Sequence, residues 1–197
     1  MKKKIVKEQF DFGYGLVDAH RHINANGDLG GWVADTAKVE ETVHVAENAW
    51  VYGNARVYGN AQVSGDARVS GNAQVSGDAR VSGNARVSGN ARVYGDAWVY
   101  GDAQVYGNAW VYGDAQVYGD AWVETTRDYM VLQVFGSRDS ALTVTFKPEL
   151  RVTTGCFEYK TLVEFEAAVL KTHGHDVYGK EYLAAIEFIK TIAELRV

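Results

Sequence analysis

A six-residue unit, Val-[Tyr/Ser]-Gly-[Asn/Asp]-Ala-x, runs without a break from residue 51 to residue 122, twelve copies in one phase. The first reads Val51-Tyr52-Gly53-Asn54-Ala55-Arg56 and the last Val117-Tyr118-Gly119-Asp120-Ala121-Trp122. Three looser units, starting at Val33, Val39 and Val45, precede them and bring the total to fifteen. A unit this small cannot bury its own apolar side chains and has to stack on its neighbours. Along Ala-x-Val-x the side chains alternate as in a strand, which sends Ala and Val to one face. The Gly-Asn or Gly-Asp pair is turn chemistry, because these residues tolerate left-handed backbone better than most. Each hexad is therefore one short strand and one corner, and three hexads close a triangular coil of eighteen residues. Val points inward from each wall and Ala sits inward near each corner. Coils stack in parallel at about 4.8 Å, so five of them make a prism about 24 Å tall.

The aliphatic-first, small-fifth unit matches the hexapeptide-repeat pattern, and on those residues the chain resembles the left-handed parallel β-helix family. The left hand is what the resemblance implies, since the general crossover preference is right-handed. A right-handed pentapeptide helix is excluded by the period. The fold class expected is mainly β: a β-helix of about five triangular coils over residues 32–123, an N-terminal cap segment over 1–31 and a small α+β module over 124–197.

Caps are expected because the ends of a β-helix expose strand edges and an apolar cross-section. Residues 1–31 hold glycines at 13, 15, 27, 30 and 31 and show no clear period. In the tail, 129–135, 141–147 and 151–155 read as three strands, the first two flanking a turn at Gly136-Ser137-Arg138-Asp139. Thr161-Leu162-Val163-Glu164 is a capping box. It starts a helix that buries Leu162, Phe165 and Val169 and stops near Gly174. A second helix is expected from about Lys180 to Leu195, with Tyr182, Leu183, Ile186, Ile189 and Ile192 covering a face broad enough to be buried on more than one side. The lead-in His20-Arg21-His22 with Gly30-Gly31-Trp32-Val33, and the tail Gly136-Ser137-Arg138, Gly155-Cys156-Phe157, Glu164-Phe165 and Thr172-His173-Gly174, resemble hexapeptide-repeat proteins encoded by phages and prophages of gut-type bacteria. That resemblance implies an origin more than an activity.

Composition narrows the function classes. The net charge of −5 is spread evenly: −2 over residues 1–48, −1 over 49–123 and −2 over 124–197. No segment is basic enough for a phosphate-binding footprint, and none is acidic enough for a DNA mimic, so nucleic acid is not expected as a partner. One cysteine, Cys156, rules out an internal disulfide and fits a reducing cytosol. The basic start lacks an apolar run behind it, and no stretch approaches the roughly 18 apolar residues of a spanning helix. The expectation is a protein of the bacterial cytoplasm with no membrane partner.

Candidate chemistry is sparse. Hexapeptide-repeat acyltransferases use loops that leave the coils and a histidine as general base. Here no loop interrupts residues 51–122, and the nearest histidine is His44. His44 alone cannot supply the ligands of a zinc site. Asp18-Ala19-His20-Arg21-His22 has the D-x-H-x-H spacing of amidohydrolases, but those need a barrel of about 250 residues. It reads instead as a polar cap segment, with a metal site shared with His173 or His175 as the alternative. A phosphate loop is excluded by the absence of G-x-x-x-x-G-K-[ST]. Regular outward Thr rows, which ice binding would need, are also missing. No catalytic residue, metal or cofactor is expected.

The outward columns are more informative. Each hexad shows two outward positions, one Tyr or Ser and one Arg, Gln or Trp. The middle coils carry Ser64, Arg68, Ser70, Ser76, Arg80, Ser82, Arg86 and Ser88; an earlier pair of coils carries Trp50, Tyr52 and Tyr58. The later coils switch to Tyr94, Trp98, Tyr100, Tyr106, Trp110, Tyr112, Tyr118 and Trp122. At eighteen-residue spacing Tyr94 lies beneath Tyr112 and Tyr100 beneath Tyr118. Such rows either stack to support the ladder or form an interface. These eight residues are the expected binding surface, together with Arg138, whose glycine turn could hold an anion or be a plain hairpin turn. The expected function is a non-enzymatic binding or scaffold protein, a homotrimer that meets a host protein or a small nucleotide. In that setting it would inhibit a host defence protein or take up its signal. A virion structural part and a degenerate acyltransferase are the alternatives.

Overall fold

A computed structural model of the chain describes residues 5–196. Of the basic start, residues 1–4 lie outside the described residues. Three strands open the chain: β1 (Lys7–Asp11), β2 (Leu16–Ile23) and β3 (Leu29–Ala34). Fifteen two-residue strands follow at six-residue intervals, from β4 (Lys38–Val39) to β18 (Trp122–Val123). Every third one pairs in parallel, as Gln74 with Arg92 and Arg80 with Trp98. The result is a parallel β-solenoid of about five coils with three walls. The first wall stacks β3 and every third strand from β6 (Trp50–Val51) to β18, the second runs from β4 to β16 (Trp110–Val111), and the third from β5 (His44–Val45) to β17 (Gln116–Val117).

Expected inward residues are inward. Every Val and Ala of the twelve regular hexads is at most 1% exposed and belongs to one continuous core. The corners explain the glycine. Gly71 sits at φ +64°, and a side chain there would stand 3.0 Å from the backbone of Gly89 one coil on. Only a residue without Cβ allows that backbone and that approach. Beside the glycines, Asn72 donates to Asn90 and Asn90 to Asn108, both at 3.1 Å, in a side-chain ladder up one corner.

The N-terminal segment is more regular than its sequence suggests. β1, β2 and β3 form an antiparallel extension of the first wall. Gly30 and Gly31 in β3 let that strand press onto the first full coil, since a Cβ on Gly31 would meet the carbonyl oxygen of Ala49 at 2.0 Å. The lead-in motif is thus accounted for by packing.

The C-terminal module has four strands rather than the three expected: β19 (Tyr129–Phe135), β20 (Ser140–Thr145), β21 (Arg151–Thr154) and β22 (Phe157–Lys160), antiparallel in chain order. Helix α1 (Leu162–His173) begins at the expected capping box, with Thr161 accepting from the Glu164 N–H, and ends at Gly174. Helix α2 (Val177–Glu194) starts earlier than expected because Asp176 caps it, accepting from the Gly179 N–H at 2.7 Å. Its buried residues, Gly179, Tyr182, Ala185, Ile186 and Ile189, share one face, and Tyr182, Ile186 and Ile189 join a core with Phe165 and Val169 of α1 and Leu142, Val144 and Val152 of the sheet. Phe188 is 47% exposed, so the expectation of burial on more than one side is corrected.

Both ends of the solenoid are closed by polar contacts. Along the coils, N–H groups flanking each Val donate forward, as Arg56 to the Ala73 carbonyl. At the last coil Trp122 donates to the Lys147 carbonyl, Gln116 to Thr143 Oγ1 and Trp110 to Thr126 Oγ1. Tyr129 enters the core end and its hydroxyl donates to the Trp110 carbonyl at 2.9 Å. At the first coil, His22 Nε2 lies 2.9 Å from the Val43 carbonyl oxygen, and Asn24 both donates to the Val45 carbonyl and accepts from its N–H.

Candidate functional site

The aromatic columns follow from the two outward positions of each hexad. The structure divides the eight expected residues among the walls, so they do not form one surface. Tyr106 and Trp122 are on the first wall, Tyr94, Trp110 and Tyr112 on the second, and Trp98, Tyr100 and Tyr118 on the third. Tyr94 and Tyr112 stack with ring centroids 5.4 Å apart and planes 14° apart. Tyr100 and Tyr118 meet edge to face at 5.6 Å. Arg80 lies over the Trp98 ring at 4.8 Å and Arg92 over Trp110 at 4.9 Å. Much of the aromatic surface is therefore held by ladder packing and cation–π contact.

Exposure separates the set. Trp98, Tyr100, Trp110, Tyr112 and Trp122 are 38–50% exposed, whereas Tyr118 is 7% exposed beneath the C-terminal module. Burial, with the Glu158 carboxylate and Tyr100 nearby, pushes the Tyr118 hydroxyl up to about 12. The aromatics of the early coils are treated differently. Phe10 stacks on Trp32 at 4.4 Å and Phe12 on Tyr52 at 5.0 Å, and both rings meet Trp50 edge-on. The N-terminal hairpin thus covers Trp50 and Tyr52, while Tyr58 on the second wall is 39% exposed.

The third wall carries a groove. One of its columns reads Ser64, Ser82, Tyr100, Tyr118 and the other Gln62, Arg80, Trp98, Gln116. The switch from small to large side chains makes a step in an otherwise flat wall. Glu158, at the edge of the terminal module, closes the far end, and the space between holds about 410 Å³. A second depression of about 440 Å³ lies at the other end of the solenoid, between His20, Lys38, Glu40, Arg56 and Tyr58.

Charge is not spread as evenly around the prism as along the chain. Position four of the hexad is Asn54, Asn72, Asn90 and Asn108 at the corner between the first and second walls. It is Asn60, Asp78, Asp96 and Asp114 at the corner before the third wall, and Asp66, Asn84, Asp102 and Asp120 at the corner after it. All six corner aspartates therefore rim the third wall and all six are exposed. Asp78 and Asp102 accept from Asn60 and Asn84, and Asp120 accepts from the Tyr159 hydroxyl. These residues do not stand out along the chain; their signal is the eighteen-residue phase of Asp against Asn.

Arg138 is elsewhere. Gly136-Ser137-Arg138 is a turn between β19 and β20, and its residues line a small cavity of about 160 Å³ with Cys156, Phe157, Phe165 and His173. The tail motifs noted in the sequence thus converge on one place. Ser137 Oγ is 3.4 Å from His173 Nε2, and His173 Nδ1 is 3.5 Å from Asp176. Both distances are long for the roughly 2.6–3.2 Å of a proton-transfer pair. The cavity is also well below the roughly 300 Å³ at which ligand sites begin.

His20 and His22 serve the N-terminal cap. His20 Nδ1 lies 3.0 Å from Asp35, which also pairs with Lys7. The Lys7 hydrogen bond and then that of His20 hold the Asp35 carboxyl below its ordinary range. His22 is 6% exposed, and burial pushes its imidazole pKa down. His173 sits in the module at the opposite end of the solenoid, so no site is shared between them. Among the described residues no group of three or more His, Cys, Asp or Glu is placed to hold a metal. Nor is any described helix long and apolar enough to cross a membrane.

The repeat block matches a family model described as YdcK beta solenoid repeat, over residues 49–62, 61–77, 73–87, 85–101 and 103–119. The chain is a β-solenoid repeat protein. The matched stretches lie within the coils and include Tyr94, Trp98, Tyr100, Trp110 and Tyr112, but neither cap. No curated protein matches the chain.

Proposed function

We propose that this β-solenoid is a non-enzymatic binding scaffold, which assembles as a homotrimer and offers the aromatic walls of its last coils to a protein partner. The observation that carries the reading is the exposure of Trp98, Tyr100, Trp110, Tyr112 and Trp122 at 38–50% each, on strands too short and too tightly stacked to rearrange. Aromatic and arginine side chains on a rigid surface lose little entropy on docking and anchor interfaces. The chain's own hairpin supplies a precedent, since Phe10 and Phe12 cover Trp32, Trp50 and Tyr52 in the way a partner would cover the later rows.

The lead-in and tail that resemble phage- and prophage-encoded chains support a bacterial host as the setting, and a host protein, including one of host defence, as the partner. A nucleotide signal fits the walls less well, because phosphates need clustered cations and each exposed Trp is backed by one arginine at most.

The test is native mass spectrometry of the protein purified from a bacterial host. A trimer, with or without a bound protein, supports the reading. A bare monomer that neither assembles nor captures a protein, and is unchanged by Trp98→Ala with Trp110→Ala, overturns it.

A further inference from the structure

Seven carboxylates frame one wall. Asp78, Asp96 and Asp114 rise along one rim of the third wall, Asp66, Asp102 and Asp120 along the other, and Glu158 closes the groove end. Among the described residues none of these seven is in an ion pair. Four of the five repeat-block arginines, Arg56, Arg68, Arg86 and Arg92, stand on the other two walls. The third wall has Arg80 alone, already spent on the Trp98 ring at 4.8 Å. Apart from Arg80, the floor between the acidic rims is uncharged: Gln62, Ser64 and Ser82 leading to Trp98 and Tyr100.

From this placement we infer that the third wall is the docking surface, and that it takes a basic, extended segment of a partner protein. The inference rests on the scaffold reading above and deepens it. Rows of like charge a coil apart raise the local concentration of cations and steer their approach. Lys and Arg side chains fit both features of the groove. Their ammonium or guanidinium groups meet the Asp rims, and either can lie over an exposed aromatic face. An extended segment suits a surface whose features repeat at the coil spacing of about 4.8 Å. An anionic ligand would face seven carboxylates with a single arginine to receive it. The second wall, with the Asn corner on one side, lacks the paired rims although its aromatics are equally exposed.

The rims can be neutralised without disturbing the fold. Asn already fills position four in six of the twelve regular hexads, at equal depth and in the same backbone. Asp66→Asn and Asp96→Asn change one rim each, at positions outside the side-chain ladders.

The experiment uses the full chain and three fluorescently labelled twelve-residue peptides, of alternating Lys and Gly, Glu and Gly, or Ser and Gly, read by anisotropy at low and at high salt. The expected result is binding of the Lys peptide alone. It should weaken at least fivefold in the Asp66→Asn, Asp96→Asn double variant and in Trp98→Ala, remain unchanged in Tyr58→Ala on the second wall, and fall with added salt. Binding of the Glu or Ser peptide as tightly as the Lys peptide overturns the inference. So does no binding of the Lys peptide, or Lys-peptide binding indifferent to the rim and Trp98 changes. If the mass-spectrometric trimer or a captured partner is lost with Trp110→Ala but kept with Trp98→Ala, the scaffold stands and the third-wall assignment fails. If the acidic rims of one copy prove to hold the arginine walls of another, salt will break the trimer and the partner assignment is likewise overturned.

Discussion

Two glycines at the same kind of corner should respond very differently to alanine. Gly71 and Gly113 have nearly the same backbone, at φ +64° and +63°. A Cβ on Gly71 meets the N and O atoms of Gly89 at 3.0 Å, whereas on Gly113 it meets only the amide end of the Gln133 side chain at 2.8 Å. Left-handed backbone costs an L-residue about 1–2 kcal/mol. The loss of unfolded-state freedom returns about 0.4–1 kcal/mol. Gly113→Ala should therefore cost about 1 kcal/mol, because the exposed Gln133 side chain swings away. At Gly71 the obstacle is backbone, and relief means separating two coils. That stretches the Asn72 N–H bond to the Gly89 carbonyl, 2.7 Å at rest. Overpacking of this kind adds about 1–3 kcal/mol, so Gly71→Ala should cost about 2–4 kcal/mol in all. The assay is urea unfolding followed by far-ultraviolet circular dichroism, with the slope checked for constancy. Equal losses for the two variants, within about 0.5 kcal/mol, would refute the argument that inter-coil contact rather than dihedral angle selects glycine here.

Asn24→Ala removes the side chain that pairs with both the N–H and the carbonyl of Val45 at a site 5% exposed. It should cost about 2–4 kcal/mol by the same unfolding assay, since two buried groups lose their partner; a loss below about 1 kcal/mol would mean water replaces it. The third prediction concerns acid. Burial raises the Asp128 pKa, but the Thr125 N–H, Lys147 at 3.0 Å and the Glu124 N–H outweigh it and hold the carboxyl below 3.8. The unfolded state then binds the proton first, so this contribution is full above that value and is lost as pH falls through the lower folded value. Asp128→Asn should make thermal unfolding of the capped end less acid-sensitive in that window; a profile parallel to the parent's would exclude Asp128 as the cause.

The coils were legible because one six-residue period specifies inward face, outward face and corner at once. Every Val and Ala lands where alternation puts it. The module was legible only where local signals were strong, as at the Thr161 to Glu164 box and Gly174. Strand β22 was missed because its four residues, Phe157-Glu158-Tyr159-Lys160, give an edge strand too short for its alternation to register, and Tyr159 stands at φ +50°. Its position is set by tertiary contact, the Tyr159 ring lying over Gly119 and its hydroxyl on Asp120. Helix α2 starts at Val177 rather than about Lys180, taking Gly179 into its first turn. In the structure Gly179 packs against the Gly174 backbone, where a Cβ would come within 2.3 Å of its carbonyl oxygen. That the aromatic residues point outward from the coils was legible one by one, but their division among three walls follows from position modulo eighteen rather than from order along the chain. The acidic rims obey the same arithmetic and escaped a charge count made along the sequence.

Each end of the solenoid exposes both N–H and carbonyl groups, so each cap has to supply acceptors and donors. At the first coil His22 donates to the Val43 carbonyl, and Asn24 donates to the Val45 carbonyl and accepts from its N–H. At the last coil the Lys147 carbonyl and the hydroxyls of Thr126 and Thr143 accept from N–H groups, while the Tyr129 hydroxyl donates to the Trp110 carbonyl. The donor at the first coil must also be held in the right protonation state. Burial keeps His22 neutral, so Nε2 can donate to Val43 only as the Nε2–H tautomer, which a metal bound at that nitrogen would forbid. Of the histidine pair that looked like a ligand set, His22 is therefore committed to closing a strand edge and His20 is paired with Asp35. Closure at both ends leaves the walls as the surfaces with unmet potential, and among them the third is the one where the repeat supplies both acidic rims and an aromatic floor while Glu158 of the module closes the end.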